Sequence, residues 1–226
     1  MVRIGVDLGG TKIEAACVAA DGEIVLRRRV PTPRDDYEAT IATIADLVEG
    51  LEGDMGRHTS VGVGMPGTIS PATGLVKNAN SVWLNGRPLD RDVCRRLDRP
   101  VRFANDANCF ALSEARGGAA AGAAVVFGVI IGTGTGGGVV VNGRVVTGRN
   151  AIGGEWGHNA LPWPRADELP GARCYCGLHG CIETFLSGPG MSRDHAEATG
   201  AQRALRRLSR NRGARHSHSV FPQSRR

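Results

Sequence analysis

Several absences narrow this chain before any motif is read. Aromatics make up only 4% of it. The apolar stretch at residues 125–131 falls far short of the roughly 20 residues a membrane helix needs, so no membrane partner is expected. Lysine is nearly missing, with Lys12 and Lys77 alone. The Gly-x4-Gly-Lys-Ser/Thr spacing of a P-loop does not occur. A dinucleotide fingerprint is excluded as well, because the chain after Gly132 continues as a strand and not a helix. No secretory leader pattern opens Met1-Val2-Arg3-Ile4, so a reducing, cytoplasmic compartment is expected, where cysteines serve as thiols or metal ligands.

Acidic residues are absent from 201–226, which hold eight arginines. The net charge of +6 therefore belongs to the tail: residues 1–200 carry 20 basic against 22 acidic side chains. A basic arm is one signature of nucleic-acid binding. This one contains a single aromatic, Phe221, and no recognition motif, so no nucleic-acid partner is expected.

What is present is glycine, 33 residues of it, in a chain of 226 that is 41% hydrophobic. That composition suits one large or two small globular domains with tight turns where backbone approaches a ligand. The densest chemistry lies between Gly153 and Glu183. His158, Cys174, Cys176 and Cys181 are spaced His-x15-Cys-x-Cys-x4-Cys. Three thiolates and an imidazole suit a closed, structural Zn²⁺ site. His179 is a spare ligand ranked below His158. Cys17, Cys94 and Cys109 sit in apolar runs and read as packed thiols. Glu155 and Glu183 flank the metal ligands, as a polar ligand site would require.

In chain order, strands are expected at residues 2–8, 13–20 and 23–30, with a hairpin signal at Asp21-Gly22. Asp35 or Asp36 caps a helix with the apolar face Ile41, Ile44, Leu47, Val48 and Leu51. A buried strand follows at 61–65, a loop at 70–87, a helix at 89–97, a strand at 101–104 and a helix from Cys109. The opening pattern then recurs: strand 127–131, a glycine turn, strand 139–141, Asn142-Gly143 and strand 144–147. A repeat of this length points to two related α/β domains.

Glycine turns with threonine expose N–H and hydroxyl groups that cradle phosphate. Those at Gly9-Gly10-Thr11 and Gly132-Thr133-Gly134-Thr135-Gly136-Gly137 occupy matched positions in the repeat. Asp7, at a strand end, suits a phosphate-bound Mg²⁺. Asn105-Asp106 also ends a strand, and Asp106 reads either as a general base or as a helix N-cap.

Together these residues resemble the ROK sugar kinases. The resemblance rests on Asp7-Leu8-Gly9-Gly10-Thr11-Lys12, Asn105-Asp106-Ala107-Asn108, Gly132 to Gly137, Gly154-Glu155-Trp156-Gly157-His158 and Cys174-x-Cys176-Gly-x-x-Gly-Cys181-x-Glu183. Within the family, residues 31–37, 77–86 and 158–163 resemble bacterial fructokinases. The resemblance implies an α/β, actin/hexokinase-like (ribonuclease H-like) ATPase fold with two related domains around a cleft. Residues 1–117 would form the N-terminal domain and 118–200 a partial second domain.

The resemblance further implies transfer of the ATP γ-phosphate to a sugar 6-hydroxyl, with fructose first and glucose or an N-acetylhexosamine as alternatives. Gly5, Asp7, Gly9, Gly10, Thr11, Lys12 and Gly132 to Gly137 would bind ATP phosphates, with Mg²⁺. Asp106 would be the base. Asn105, Asp106, Glu155, His158 and Glu183 would hold the sugar. His158, Cys174, Cys176 and Cys181 would hold structural zinc, leaving His158 to face metal through one ring nitrogen and sugar through the other. Such kinases are often homodimers. The family's DNA-binding repressor branch is not expected, since the first phosphate turn begins by residue 5. The match ends near Gly200, and the arginine-rich remainder is expected to be a frameshifted end that leaves a truncated second domain, with a catalytically inactive remnant as the corresponding alternative.

Overall fold

The computed structural model describes residues 2–200; the tail that the sequence singled out lies outside the described residues. The first two strands, β1 (Arg3–Leu8) and β2 (Lys12–Val18), pair antiparallel, and β3 (Ile24–Pro31) pairs antiparallel with β2. Helix α1 (Tyr37–Met55) follows, then β4 (Ser60–Met65), the short ladder of β5 (Thr68–Ile69) with β6 (Val76–Lys77), α2 (Leu89–Leu97), β7 (Val101–Asn105) and α3 (Asp106–Gly117). Strands β8 (Val125–Ile131), β9 (Thr135–Val141) and β10 (Arg144–Val145) come next, and α4 (Ile182–Leu186) and α5 (Gly188–Thr199) close the described chain.

The main sheet has the order β3-β2-β1-β4-β7, with β4 paired parallel to β1 and β7 paired parallel to β4. Its inward residues alternate with the pleat: Ile4, Val6 and Leu8 on β1, Ile13, Ala15 and Cys17 on β2, and Val61, Val63 and Met65 on β4 are all buried. Against them packs α1, whose buried face includes Ile41, Ile44, Leu47, Val48 and Leu51. The helix starts where Asp36 accepts the Ala39 N–H at 2.9 Å and stops at Gly56, whose φ of 64° is left-handed. Edge strand β3 carries Arg27, Arg28 and Arg29 outward, and charge on an edge discourages further strand pairing.

The repeat is visible in the second sheet, ordered β10-β9-β8 as the first is ordered β3-β2-β1. Asn142 and Gly143 both have positive φ, as a type I′ hairpin turn requires. Three expectations need correction. Helix α3 starts at Asp106 and not at Cys109, because Asn105 supplies the cap. Residues 70–87 contain β6 and a 3₁₀ turn at Val82–Leu84 and are not loop throughout. The last strand of the repeat shrinks to Arg144–Val145. Cys109 also departs from the packed-thiol reading: it lies on an exposed face of α3, whereas Cys17 is buried.

Contacts divide the chain into two units. One runs to Val129 and includes Gly136–Glu155; the other contains Ile130–Thr135 and the chain from Trp156. In the first unit the buried Glu52 gathers an ion cluster. Glu52 receives Arg99 Nη1 and Nη2 at 2.8 and 2.9 Å, the Thr59 N–H at 2.7 Å and His58 Nδ1 at 2.9 Å. Burial alone would raise its carboxyl, but the Arg99, Thr59 and His58 hydrogen bonds outweigh it and hold the pKa at about 2.

A folded-state value below the ordinary 4.5 means stability that is full above that pH and is lost as pH falls toward 2. The contribution is about 3 kcal/mol. Glu52→Gln is expected to remove about that much at pH 7 and to flatten the acid dependence between pH 4.5 and 2. Urea unfolding at pH 7, 4 and 2.5 checks this, and an unchanged acid slope in the variant would reject it.

Candidate functional site

In the first unit, three parallel strands end along one edge of the sheet. Asp7 on β1 lies opposite Gly64 on β4, Gly64 lies opposite Ala104 on β7, and Met65 lies opposite Asn105. Carboxyl ends of parallel strands are where α/β folds gather ligand chemistry. The register therefore brings Asp7 and the Asn105-Asp106 pair to the same edge.

Asn105 does the structural work there. Its Oδ1 accepts the Asn108 N–H at 3.0 Å, capping α3, and its Nδ2 donates to Gly67 O at 3.0 Å. A side chain at Gly67, where φ is 68°, would collide with the Lys77 carbonyl and the Asn78 backbone, so only glycine permits this approach. Asp106 is the first residue of α3, and its Oδ1 accepts the Ala107 N–H at 2.8 Å. Burial raises its pKa, the Ala107 N–H partly opposes this, and the negative charge of Asp7 raises it further. A carboxylate so placed accepts a proton more readily than a free one.

The first glycine turn links β1 to β2. Gly9 N–H donates to Lys12 O at 3.0 Å, and the Thr32 hydroxyl donates to Gly9 O at 2.7 Å. Thr32 N–H also reaches Thr11 O at 3.2 Å. Thr32 is buried and clamps the turn from 23 residues away, a role that the sequence reading missed because no periodicity or motif marks it.

The second unit carries the other turn and the metal loop. Gly132 N–H donates to Gly134 O at 2.9 Å, and Gly188 N–H to Gly132 O at 2.7 Å. Glu183 is buried, and its Oε2 accepts the Thr135 N–H at 2.9 Å. Its own N–H donates to Gly157 O at 2.8 Å, beside His158. Any side chain on Gly157 would run into the Thr135 carbonyl. One residue thus ties the end of the metal loop to the second glycine turn. Glu155 closes the first unit and is exposed.

His158, Cys174, Cys176 and Cys181 converge, with ligand atoms all within 4.8 Å of one another. His158 Nδ1 lies 3.4 Å from Cys174 Sγ, and Cys176 Sγ lies 3.6 Å from Cys181 Sγ. A tetrahedron with Zn–S bonds of about 2.3 Å separates its sulfurs by roughly 3.8 Å, so the donor set and its spacing both fit zinc. His179 turns elsewhere, its Nδ1 3.3 Å from Gly171 O. Burial raises the Cys174 and Cys181 thiols, while the Leu178 backbone N–H lowers Cys176.

A ROK family model matches residues 3–219. The N-acetyl-D-glucosamine kinase of Pectobacterium atrosepticum is 46% identical over 190 residues, which cover 82% of this chain and 62% of that protein. The chain thus spans less than two thirds of the length of that curated relative. Among solved structures, the ROK hexokinase from Thermus thermophilus superposes with a TM-score of 0.74 at 34% identity, covering 94% of this chain and 70% of its own. A ROK family glucokinase from Streptomyces griseus, in complex with glucose and AMPPNP, gives 0.73 at 32% identity, covering 88% and 62%.

Proposed function

The chain belongs to the ROK family, and from that premise we propose that it is built as an ATP-dependent hexose kinase acting on the 6-hydroxyl of N-acetylglucosamine. The observation that carries the reading is the carboxylate pair at the strand ends, with Asp106 held in a more basic state by burial and by Asp7. Asp106 accepts the proton of the attacking hydroxyl. The stretch with Gly5, Gly9, Gly10, Thr11 and Lys12 and the turn from Gly132 to Gly137 each offer backbone N–H and hydroxyl groups to ATP phosphates. Asp7 would help to hold Mg²⁺, which would supply charge neutralisation at the transferred phosphoryl group. Asn105 and Glu155 in the first unit, and His158 and Glu183 in the second, are the side chains offered to the sugar. The His158, Cys174, Cys176 and Cys181 cluster holds a structural Zn²⁺ that fixes the loop between His158 and Glu183.

The choice of sugar rests on the curated relatives, whose name favours N-acetylglucosamine over the fructose that the motifs at residues 31–37, 77–86 and 158–163 suggested. A second reading is supported by one observation: the chain spans 62% of that relative's length, which suits a folded remnant that binds ligand without turnover. Coupled ATP turnover on the full chain, with N-acetylglucosamine, glucose, mannose and fructose in turn, tests both. The highest kcat/KM on N-acetylglucosamine is the expected result. Highest turnover on fructose would overturn the sugar assignment, and absence of turnover from a folded, zinc-loaded chain would favour the remnant.

A further inference from the structure

Tyr175 stands between two of the cysteine ligands, yet its side chain reaches back to a third ligand. Its hydroxyl lies 2.9 Å from His158 Nε2. The two rings meet edge to face, with centroids 5.0 Å apart and planes at 88°. The opposite nitrogen of the same imidazole, Nδ1, faces Cys174 Sγ at 3.4 Å. His158 is therefore gripped on both ring nitrogens by neighbouring residues of one short segment.

We propose that Tyr175 is a positioning residue of the metal site, holding His158 in the orientation and tautomer that present Nδ1 to the ion. The inference rests on the zinc reading given above. A neutral imidazole that gives its Nδ1 lone pair to a metal carries its proton on Nε2. That N–H needs an acceptor, and the Tyr175 oxygen is at hydrogen-bond distance. With the acceptor in place, the ring is set before the ion arrives, and less ordering is left for binding to supply. Ligating histidines are commonly held this way, and losing the partner typically weakens metal affinity 10–100-fold. Tyr175 is 71% exposed, so water competes for the same N–H. The expected effect therefore sits at the lower end, about tenfold.

The segment suits such a grip. Cys174 N–H donates to Leu178 O at 2.8 Å and Gly177 N–H to Cys174 O at 3.0 Å, which closes a tight turn around Tyr175. Gly177, at a φ of 94°, provides the left-handed residue. With the turn fixed, only the side-chain torsions of Tyr175 remain to be ordered for the contact with His158.

The test is Zn²⁺ affinity of the full chain, measured by competition with a chromophoric chelator, for the wild type, Tyr175→Phe and Leu178→Ala. Phenylalanine keeps the ring contact and removes only the hydroxyl. Leu178 is exposed in the same turn and controls for general loosening. The expected result is one zinc per chain throughout, about tenfold weaker binding for Tyr175→Phe, and Leu178→Ala within twofold of wild type. An NMR signal from an exchange-protected His158 Nε2 proton should be present in the zinc-loaded wild type and lost in Tyr175→Phe. Equal affinity of wild type and Tyr175→Phe overturns the proposal, as does equal weakening by both variants. A wild-type chain that binds no Zn²⁺ overturns the metal reading itself, and the role of Tyr175 with it.

Discussion

Removing zinc from the chain is expected to abolish the fold of the loop between His158 and Glu183 and to lower the melting temperature sharply. Four donors lie within 4.8 Å of one another, on a loop tied by turn hydrogen bonds around Cys174 and Gly180 and by those of Ile182 to Asn159 O and Glu183 to Gly157 O. Tyr175 and Leu178 are exposed, so apolar burial between Cys174 and Cys181 is confined to the two cysteines themselves. Apparent binding energies of structural zinc, about 10–16 kcal/mol, match or exceed the ~5–15 kcal/mol that stabilises a whole domain. Loss of the ion is thus a decisive change for the second unit. Cys181→Ser removes a buried ligand and should lower the stoichiometry from one zinc per chain to none, with a thermal transition tens of degrees below wild type. Metal analysis and calorimetry before and after chelation provide the check. A chain that carries no metal as purified and melts at the same temperature with and without chelator would refute the prediction.

Asp106→Asn is expected to change two quantities in opposite directions. Catalysis should fall by about 10²–10⁴-fold, the usual value of a general base, with sugar affinity little altered. Stability should rise. The sign follows from the raised pKa: the folded chain binds the Asp106 proton more tightly than the unfolded chain does, so the ionised group disfavours folding at neutral pH. Asparagine removes that charge beside Asp7 and keeps an oxygen for the Ala107 N–H. Activity and thermal melting of the same variant report the two effects separately. The rise in melting temperature is measurable even in a chain that does not turn over. A variant with near-wild-type turnover would remove Asp106 from the role of base, and one that melts lower would show that its charge is not a burden to the fold.

Much of the fold was legible because its signals are local or periodic. The buried face of α1 follows from Ile41, Ile44, Leu47, Val48 and Leu51 at helical spacing, and the matched sheets follow from the recurrence of glycine-threonine turns with Asx-Gly hairpins. The pattern His-x15-Cys-x-Cys-x4-Cys already ranks His158 above His179, and the structure turns the His179 ring to the Gly171 carbonyl. What stayed hidden were contacts made by single side chains across long stretches of sequence. The Thr32 clamp on Gly9 has no motif, nor does the bond from Glu183 to Thr135. The start of α3 was misplaced by three residues because Asn and Asp are both good caps, and only the structure shows that Asn105 takes that place. The exposure of Cys109 escaped notice for a related reason: an apolar neighbourhood in sequence does not say which face of a helix a residue occupies.

That assignment of the cap to Asn105 has a consequence for how such a gene drifts. Architecture weighs unequally on the two adjacent codons: Asn105 caps α3 and binds Gly67 O, whereas Asp106 accepts from its immediate neighbours, the Ala107 N–H and Asn105 Nδ2. A substitution at position 105 strikes the helix start and the link to Gly67, so selection for a folded product acts against it regardless of activity. At position 106 asparagine can keep an oxygen for the local hydrogen bonds, and burial beside Asp7 disfavours the charge. With Asp106 read as the base, a lineage released from phosphoryl transfer would lose this carboxylate while keeping the Asn105 cap and with it the start of α3.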